Sequence, residues 1–162
     1  PLRGFKGTLY EGGIRVPWIV RWPGRVPAGT ICATPVISTD CYPTLLEAAG
    51  LKPAPGSTLD GRSLIPLFEQ KSGFDRDAIF FHYPNYAFHK KNRLGSALRA
   101  GDFKLITYYD NGEFELYRLS SDIGEEVNLS QQHPEIVRQL KDKLDAWLRQ
   151  TDARLPVRKA TK

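Results

Sequence analysis

The fold of this chain is decided by residues 96–119, which read SALRAGDFKLITYYDNGEFELYRL. Three short strand-like runs follow one another there, at Ser96–Ala100, Phe103–Tyr109 and Phe114–Leu119. The sequences Ala-Gly-Asp and Asp-Asn-Gly lie between them, and both are typical of tight turns. These residues therefore predict strands of an antiparallel sheet.

The sequence on either side of this stretch predicts one more strand and a long helix. Ala78–Tyr83 is a fourth candidate strand, and a helix is expected to begin near His133 and Pro134, since proline is favoured in a first turn. Apolar residues recur at helical spacing along that helix, at Ile136, Val137, Leu140, Leu144, Trp147 and Leu148. This stripe predicts packing against the sheet.

The first 75 residues predict fewer regular elements. Ile14–Trp22 is rich in β-branched and aromatic residues and indicates a strand, with Pro17 restricting it to an edge or a bulge. Asp40 is a good N-cap for a helix that ends before Gly50. Ser63–Gln70 indicates a second, shorter helix.

Together these patterns predict an α/β fold in two parts. Residues 1–75 are expected to supply a strand and helices to the end of a larger main domain, and residues 76–162 to form a small antiparallel sheet packed on a C-terminal helix. The chain contains no methionine and opens inside a glycine-rich turn, so we expect it to be a piece of a longer protein. Exposed strand edges and apolar helix faces in such a piece predict self-association.

Composition excludes some classes of function. The 162 residues carry a net charge of +5, but the excess is spread out and only residues 89–93, HKKNR, are locally dense. A nucleic-acid-binding protein usually concentrates its charge in a stripe, so no nucleic-acid partner is expected. There is also no run of about 18 apolar residues that indicates a membrane span.

The two cysteines, Cys32 and Cys41, do not have the spacing of a metal site. Cys41 falls in the first turn of the predicted helix and is expected to be a small buried hydrophobic residue. The sequence leaves open whether the two form a disulfide.

Few residues are arranged for chemistry. The sequence has no nucleophile elbow, P-loop or zinc-binding spacing. The candidate is Lys6, which lies between Gly4 and Gly7, because glycines let the backbone approach an anionic group while lysine supplies a compact positive charge. The alternative is an ordinary solvent-exposed lysine.

The segment around Lys6 resembles a known signature. Residues 1–17, PLRGFKGTLYEGGIRVP, are similar to the second signature region of the type I sulfatases, with its G-K-G-T-x-x-E-G-G-x-R-x-P core. The similarity continues in order through Asp60–Leu64, Ala97–Leu105 and Glu125–Leu129. The chain is thereby identified as a member of this family, covering its C-terminal portion.

The resemblance implies an alkaline-phosphatase-like fold and hydrolysis of aryl or carbohydrate sulfate esters. It implies that Lys6 contacts the sulfate, and that a formylglycine nucleophile and a calcium ion are provided by upstream sequence that this chain does not contain. No metal ligands are therefore expected here, and the chain by itself is expected to be inactive. The sequence leaves the location of the parent protein open, and a periplasmic or extracellular location is compatible with it.

Two other functions stay open. The chain is alternatively a non-catalytic module that binds anionic glycans through residues 82–93, or a piece of a phosphate or phosphonate ester hydrolase of the same superfamily.

The sequence departs from the family pattern at two positions. Phe5 stands where glycine is common, and Ile123 stands where proline is common. Cys41 is followed by Tyr-Pro-Thr-Leu, which does not match the C/S-x-P-x-R motif, so Cys41 is not expected to be the nucleophile.

Three further residues are candidates for roles near Lys6. Glu11 and Arg15, four positions apart, are expected to pair or to brace the loop. His82 ends a predicted strand and is a candidate substrate-binding residue, with Tyr83 and Tyr86 available to stack on a sugar or aryl ring; a purely structural histidine is the alternative.

Overall fold

The computed structural model describes residues 1–85 and 92–157. The contacts divide the chain into two compact units, Pro1–Val16 with Phe80–Lys162, and Pro17–Ile79. The assignment of residues 1–75 to a main domain and 76–162 to a subdomain of a longer protein stays a prediction. Each unit is described separately below.

The first unit is built on a four-stranded antiparallel sheet in the order β1-β2-β3-β4. The strands are β1 (Ile79–Tyr83), β2 (Gly95–Ala100), β3 (Phe103–Tyr108) and β4 (Phe114–Arg118). The four predicted strands are confirmed to within a residue at each end.

Both predicted turns join neighbouring strands. Ala100 pairs with Phe103, so Gly101 and Asp102 form a two-residue loop, and Gly101 has a φ of 55°. Gly112 has a φ of 73° in the turn between β3 and β4. Glycine adopts this left-handed conformation at little cost, which explains its place in both turns.

The C-terminal helix, α4 (Pro134–Gln150), contacts β2 and β3. Val137, Leu140 and Leu144 of its apolar stripe are buried, and the Trp147 ring stacks on Phe80 with centroids 4.9 Å apart. The predicted helix and its packing on the sheet are confirmed.

A hydrophobic core cluster joins Leu9 of the N-terminal segment to the sheet. Its buried members are Leu9, Ala97, Ile106, Tyr108, Tyr117 and Leu119.

The N-terminal segment itself contains the short helix α1 (Glu11–Ile14) and no strand. The predicted strand at Ile14–Trp22 is wrong: residues 15–22 have no regular secondary structure, and Val16 and Ile19 are 80% and 88% exposed. A strand is stabilised by hydrogen bonds to a neighbouring strand, and no described residue pairs with this segment. Its β propensity alone is not sufficient.

The second unit contains two short α-helices, α2 (Cys41–Ala48) and α3 (Ile65–Phe68), and one turn of 3-10 helix, Ser38–Asp40, directly before α2. Gly50 follows α2 with a φ of 68°, and the Leu51 N–H donates to the Leu46 carbonyl, so this helix ends in the predicted glycine cap. The longer helix predicted at Ser63–Gln70 is confirmed only over its central turn.

Asp40 occupies the predicted N-cap position of α2, but its side chain does not cap that helix. Its carboxylate accepts hydrogen bonds from the backbone N–H groups of Ile37 and Arg62, both at 2.9 Å, and is paired with the Arg76 guanidinium at 2.5 and 2.7 Å. Asp40 is fully buried. It therefore connects three segments of the second unit instead of ending one helix.

Candidate functional site

Lys6 lies at the tip of a tight turn in the first unit. The Thr8 N–H donates to the Phe5 carbonyl at 3.0 Å, and the Thr8 hydroxyl donates to the same oxygen at 2.9 Å. These two bonds close the turn on either side of Lys6, whose side chain is exposed. The turn therefore presents one flexible cation on a constrained backbone.

Glycines make the base of this turn compact. The Gly12 N–H donates to the Arg3 carbonyl at 2.7 Å, and a Cβ on Gly12 would lie only 2.5 Å from that oxygen. A Cβ on Gly13 would lie 2.2 Å from the Thr8 carbonyl. Contacts this short are not tolerated by real Cβ atoms, so the two ends of the segment can meet only because both residues are glycine.

A buried ionic cluster lies directly below the segment. The Lys104 ammonium is 3.0 Å from one oxygen of Glu11 and 2.8 Å from Oε1 of Glu125, and the Lys104 and Glu125 side chains are fully buried. The Glu11 N–H donates to Oε2 of Glu125 at 2.6 Å. We call Glu11, Lys104 and Glu125 the anchor cluster.

The anchor cluster holds more negative than positive charge. Burial raises the pKa of Glu125, and the Glu11 carboxylate adds to this, while Lys104 opposes it. Arg15 lies 3.3 Å from the second Glu11 oxygen, so the predicted Glu11–Arg15 pair is confirmed, although the Arg15 side chain is about half exposed. Glu11 is thus shared between a buried and a surface cation.

Arg3 supplies a second attachment for the segment. Its Nη1 donates to the Glu125 carbonyl at 2.7 Å and to the Tyr117 hydroxyl at 2.9 Å, and its guanidinium lies 4.1 Å from the centre of the Tyr10 ring. Residues before and after Lys6 are therefore both attached to Glu125. Cation–π contact with Tyr10 adds to this attachment.

Three tyrosines surround Glu115 beside the anchor cluster. One oxygen of that carboxylate accepts from the hydroxyls of Tyr10, Tyr108 and Tyr117, at 2.8, 3.1 and 3.1 Å. Burial raises the pKa of all three phenols, so they stay protonated and can donate. Tyr10 belongs to the Lys6 segment and is thereby joined to β3 and β4.

His82 is bonded within the first unit through both ring nitrogens. Nδ1 lies 2.7 Å from the Ser96 hydroxyl and 3.2 Å from that of Tyr109, and Nε2 lies 3.0 Å from the Arg154 carbonyl. A carbonyl only accepts, so Nε2 carries a proton. These contacts give His82 a structural role in linking β1 to β2 and to the segment after α4.

A groove of about 370 Å³ nevertheless brings His82 alongside the Lys6 turn. One wall comes from the N-terminal segment and the other from β1. The residues that line it are Gly7, Thr8, Leu9, Gly13, Ile14, Phe80, Phe81, His82 and Tyr83. The groove is lined largely by apolar and aromatic side chains and by glycine backbone, and it opens beside the residue that follows Lys6.

Of the basic residues in the loop at 89–93, the structure describes Arg93. Lys90, Lys91 and Tyr86 lie outside the described residues. Arg93 stacks 3.6 Å from the centre of the Tyr108 ring and pairs with Asp110 and Glu113 at 2.9 and 3.3 Å. Its charge is therefore neutralised locally.

The cysteines and carboxylates form no metal site in the part of the chain that the structure describes. Cys32 and Cys41 are both free thiols. No three His, Cys, Asp or Glu side chains come together there, and Glu11 and Glu125, which are close, share Lys104 instead of an open cation position. The described residues do not fit a calcium ion.

Within residues 1–85 and 92–157, no helix has the length and apolar character that crossing a membrane requires.

Residues 5–150 match the family described as N-sulphoglucosamine sulphohydrolase, C-terminal. The fold and the match together define the C-terminal region of a sulfatase. The chain belongs to this family, and the predicted family resemblance is confirmed. A sulfatase of Formosa agariphila is 39% identical to it over 94% of this chain and 30% of the relative. The chain thus spans a third or less of the length of the curated relatives it matches, for example 30% of one and 13% of another.

Solved structures agree with this assignment. The crystal structure of Ps i-CgsB in complex with k-i-k-neocarrahexaose has a TM-score of 0.76 and 29% identity, over 91% of this chain and 32% of that chain. A protein in complex with its substrate D-glucosamine-2-N,6-O-disulfate has a TM-score of 0.60 and 29% identity, over 70% and 24% of the two chains. The predicted α/β, alkaline-phosphatase-like class is confirmed.

Proposed function

We propose that this chain is the part of a sulfate ester hydrolase that presents Lys6 to the sulfate group. The observation that carries the proposal is the position of Lys6, exposed at the tip of a turn whose two ends are both bonded to the buried residue Glu125. Membership of a sulfatase family supplies the class of reaction. An ordinary surface lysine does not require that its loop be bonded to buried residues on both sides.

The proposed role of Lys6 is electrostatic. Negative charge builds on the sulfate oxygens and the leaving oxygen as the ester bond breaks, and a cation already in place stabilises that charge without reorganising. An ammonium at the end of a flexible stem suits contact with one oxygen, whereas a planar guanidinium suits two. Loss of one such contact typically lowers the rate by about 10²–10³.

The remaining parts of the chemistry are proposed to come from outside this chain. The family's formylglycine nucleophile and calcium have no counterpart among the described residues. We therefore propose that the chain alone does not turn over a sulfate ester. Turnover of an aryl sulfate by the purified 162-residue chain, with calcium present, would contradict this.

We propose a sulfated carbohydrate as the substrate class. The support is the named substrate of one structural relative, a sulfated glucosamine, together with the groove beside Lys6. The aromatic side chains of its β1 wall suit the apolar face of a sugar ring. His82 is proposed to bind substrate through its ring face as part of the wall, since both its nitrogens are already bonded.

The test of the proposed function is Lys6→Ala in a longer protein that contains this sequence. We expect kcat to fall by about 10²–10³ while the protein stays folded. Lys52→Ala, which removes an exposed lysine of the second unit, is the matched control and is expected to change nothing. An unchanged kcat and KM for Lys6→Ala would remove Lys6 from the site.

A further inference from the structure

We propose that Glu125, together with Lys104, is a positioning residue that sets where Lys6 stands. The inference has two halves. The structural half, that Glu125 and Lys104 hold the Lys6 segment in place, rests only on contacts within the first unit. The catalytic half, that this placement affects the rate, rests on the proposed function. Neither residue touches the groove, so their action on Lys6 is indirect.

The segment that carries Lys6 is attached at both ends to the same residue. Before Lys6, Arg3 donates to the Glu125 carbonyl at 2.7 Å, and after it the Glu11 N–H donates to the Glu125 carboxylate at 2.6 Å. The two ends also bond to each other, through the Gly12 N–H and the Arg3 carbonyl. Fixing both ends of a loop at one point leaves its tip little freedom to shift.

Glu125 is itself held in an unusual backbone conformation. Its φ is 54°, in the left-handed region that residues with a Cβ adopt rarely. The Asp122 carbonyl accepts from its N–H at 3.2 Å, and the Asp122 carboxylate accepts from the N–H groups of Glu126 and Val127 at 3.0 Å. This turn orients the Glu125 carbonyl toward Arg3 and its carboxylate toward Glu11. Backbone strain of this kind persists only where the surrounding contacts maintain it.

Lys104 gives the attachment its rigidity. It lies in β3, whose backbone is bonded on both sides to neighbouring strands, and its ammonium contacts both Glu11 and Glu125. The position of the Lys6 segment is therefore fixed relative to β3 in the sheet. A displacement of about 1 Å in a catalytic group can cost about a hundredfold in rate, so a shift of the segment by this amount would be measurable.

The structural half is tested by amide hydrogen exchange in the 162-residue chain carrying Glu125→Gln. Glutamine keeps the shape but weakens the acceptor for the Glu11 N–H. We expect exchange at Glu11 and Gly12 to accelerate about tenfold to a hundredfold, the range set by loss of a charged hydrogen bond. Exchange in α4 serves as the internal reference and should stay unchanged. A general loss of stability would instead accelerate exchange both in α4 and at Glu11 and Gly12. The matched control is Glu126→Gln, an exposed neighbour.

Arg3→Lys provides a second variant that leaves the buried charges intact. It removes the Nη1 group that donates to both Glu125 and Tyr117, and we expect a smaller acceleration, confined to Gly12 and its neighbours. It decides the question if Glu125→Gln does not fold. Unchanged exchange at these amides, in whichever variant folds, overturns the inference.

The catalytic half is tested in a longer protein that contains this sequence. We expect Glu125→Gln to lower kcat by about tenfold to a hundredfold with little change in KM, since a displaced transition-state contact affects kcat alone. An unchanged kcat, where Lys6→Ala is strongly impaired, overturns positioning and leaves the proposed function standing. If Lys6→Ala has no effect, the proposed function fails and so does the catalytic half, while hydrogen exchange still decides whether Glu125 holds the segment.

Discussion

The two units of the chain each enclose a buried carboxylate, and the charges around the two differ. Asp40, in the second unit, is matched by one arginine and two backbone N–H groups, so each of its oxygens has two donors. In the first unit Glu125 and Glu11 share a single lysine. The first arrangement is a complete crosslink. The second has Lys104 as its buried cation, and Arg15, which also pairs with Glu11, is half exposed.

The difference shows what each carboxylate does. Asp40 connects segments that all belong to the second unit and carry no candidate functional residue. The anchor cluster connects the sheet to a segment that carries Lys6. Since Lys104 is the buried cation that both glutamates contact, we expect Lys104 to be a more sensitive position than Asp40.

Removing Lys104 is expected to have the largest effect on stability. Lys104→Met keeps the length of the side chain but leaves the buried Glu125 carboxylate without a cation and Glu11 with only the half-exposed Arg15. Breaking a buried pair in this way costs about 3–5 kcal/mol in the free energy of unfolding. Urea denaturation of the chain followed by circular dichroism measures it. Lys52→Met is the control on an exposed lysine, and a loss below about 1 kcal/mol for Lys104→Met would refute the account.

Changing Asp40 is expected to have a smaller effect. Asp40→Asn keeps the shape but weakens its four hydrogen bonds, which lowers the free energy of unfolding by about 1.5–3 kcal/mol. The Arg76 side chain is 10% exposed and can recover part of its hydration. The same denaturation experiment, with exposed Asp60→Asn as control, tests the ranking. A larger loss for Asp40→Asn than for Lys104→Met would reverse the comparison.

The pH dependence of the two carboxylates is expected to run in opposite directions. Burial alone would raise the pKa of Asp40, but Arg76 and the N–H groups of Arg62 and Ile37 outweigh it and hold the pKa below its ordinary value. The stability that Asp40 provides is therefore complete above about pH 3.9, its value in an unfolded chain, and is lost as pH falls through the folded value.

The contribution of Glu125 to stability changes with pH in the opposite direction. Its raised pKa favours the folded state below about pH 4.3, the unfolded value, and that contribution is lost as pH rises through the folded pKa. Carboxyl ¹³C NMR titration, assigned with Asp40→Asn and Glu125→Gln, measures both groups. Shifts of the same sign for the two would contradict the difference in charge balance.

Local patterns were sufficient for the sheet, the C-terminal helix and the Lys6 turn. Tight-turn residues, helical spacing and the glycine-rich signature each act over a few positions, and the structure has the corresponding elements. The predicted strand at Ile14–Trp22 failed because strand formation depends on a partner, which the propensities of the segment itself do not reveal.

The anchor cluster was missed because its members are far apart in sequence. Lys104 lies 93 positions from Glu11, and Glu125 lies 114 from it. One signal was available: Lys104 alternates with Ile106 and Tyr108 along β3 and so shares their buried face. A lysine there needs a buried acidic partner. Which glutamates provide it depends on the tertiary fold.

The most direct test of the central claim, that Glu125 acts through Lys6, is a double-mutant cycle on kcat in a longer protein containing this sequence. Lys6→Ala, Glu125→Gln and the double variant are compared with the parent. If Glu125 serves only to position Lys6, removing Lys6 leaves it nothing to position, so we predict that the double variant has the same kcat as Lys6→Ala. Two effects that multiply, with the double variant lower again by the full factor of Glu125→Gln, would contradict the account.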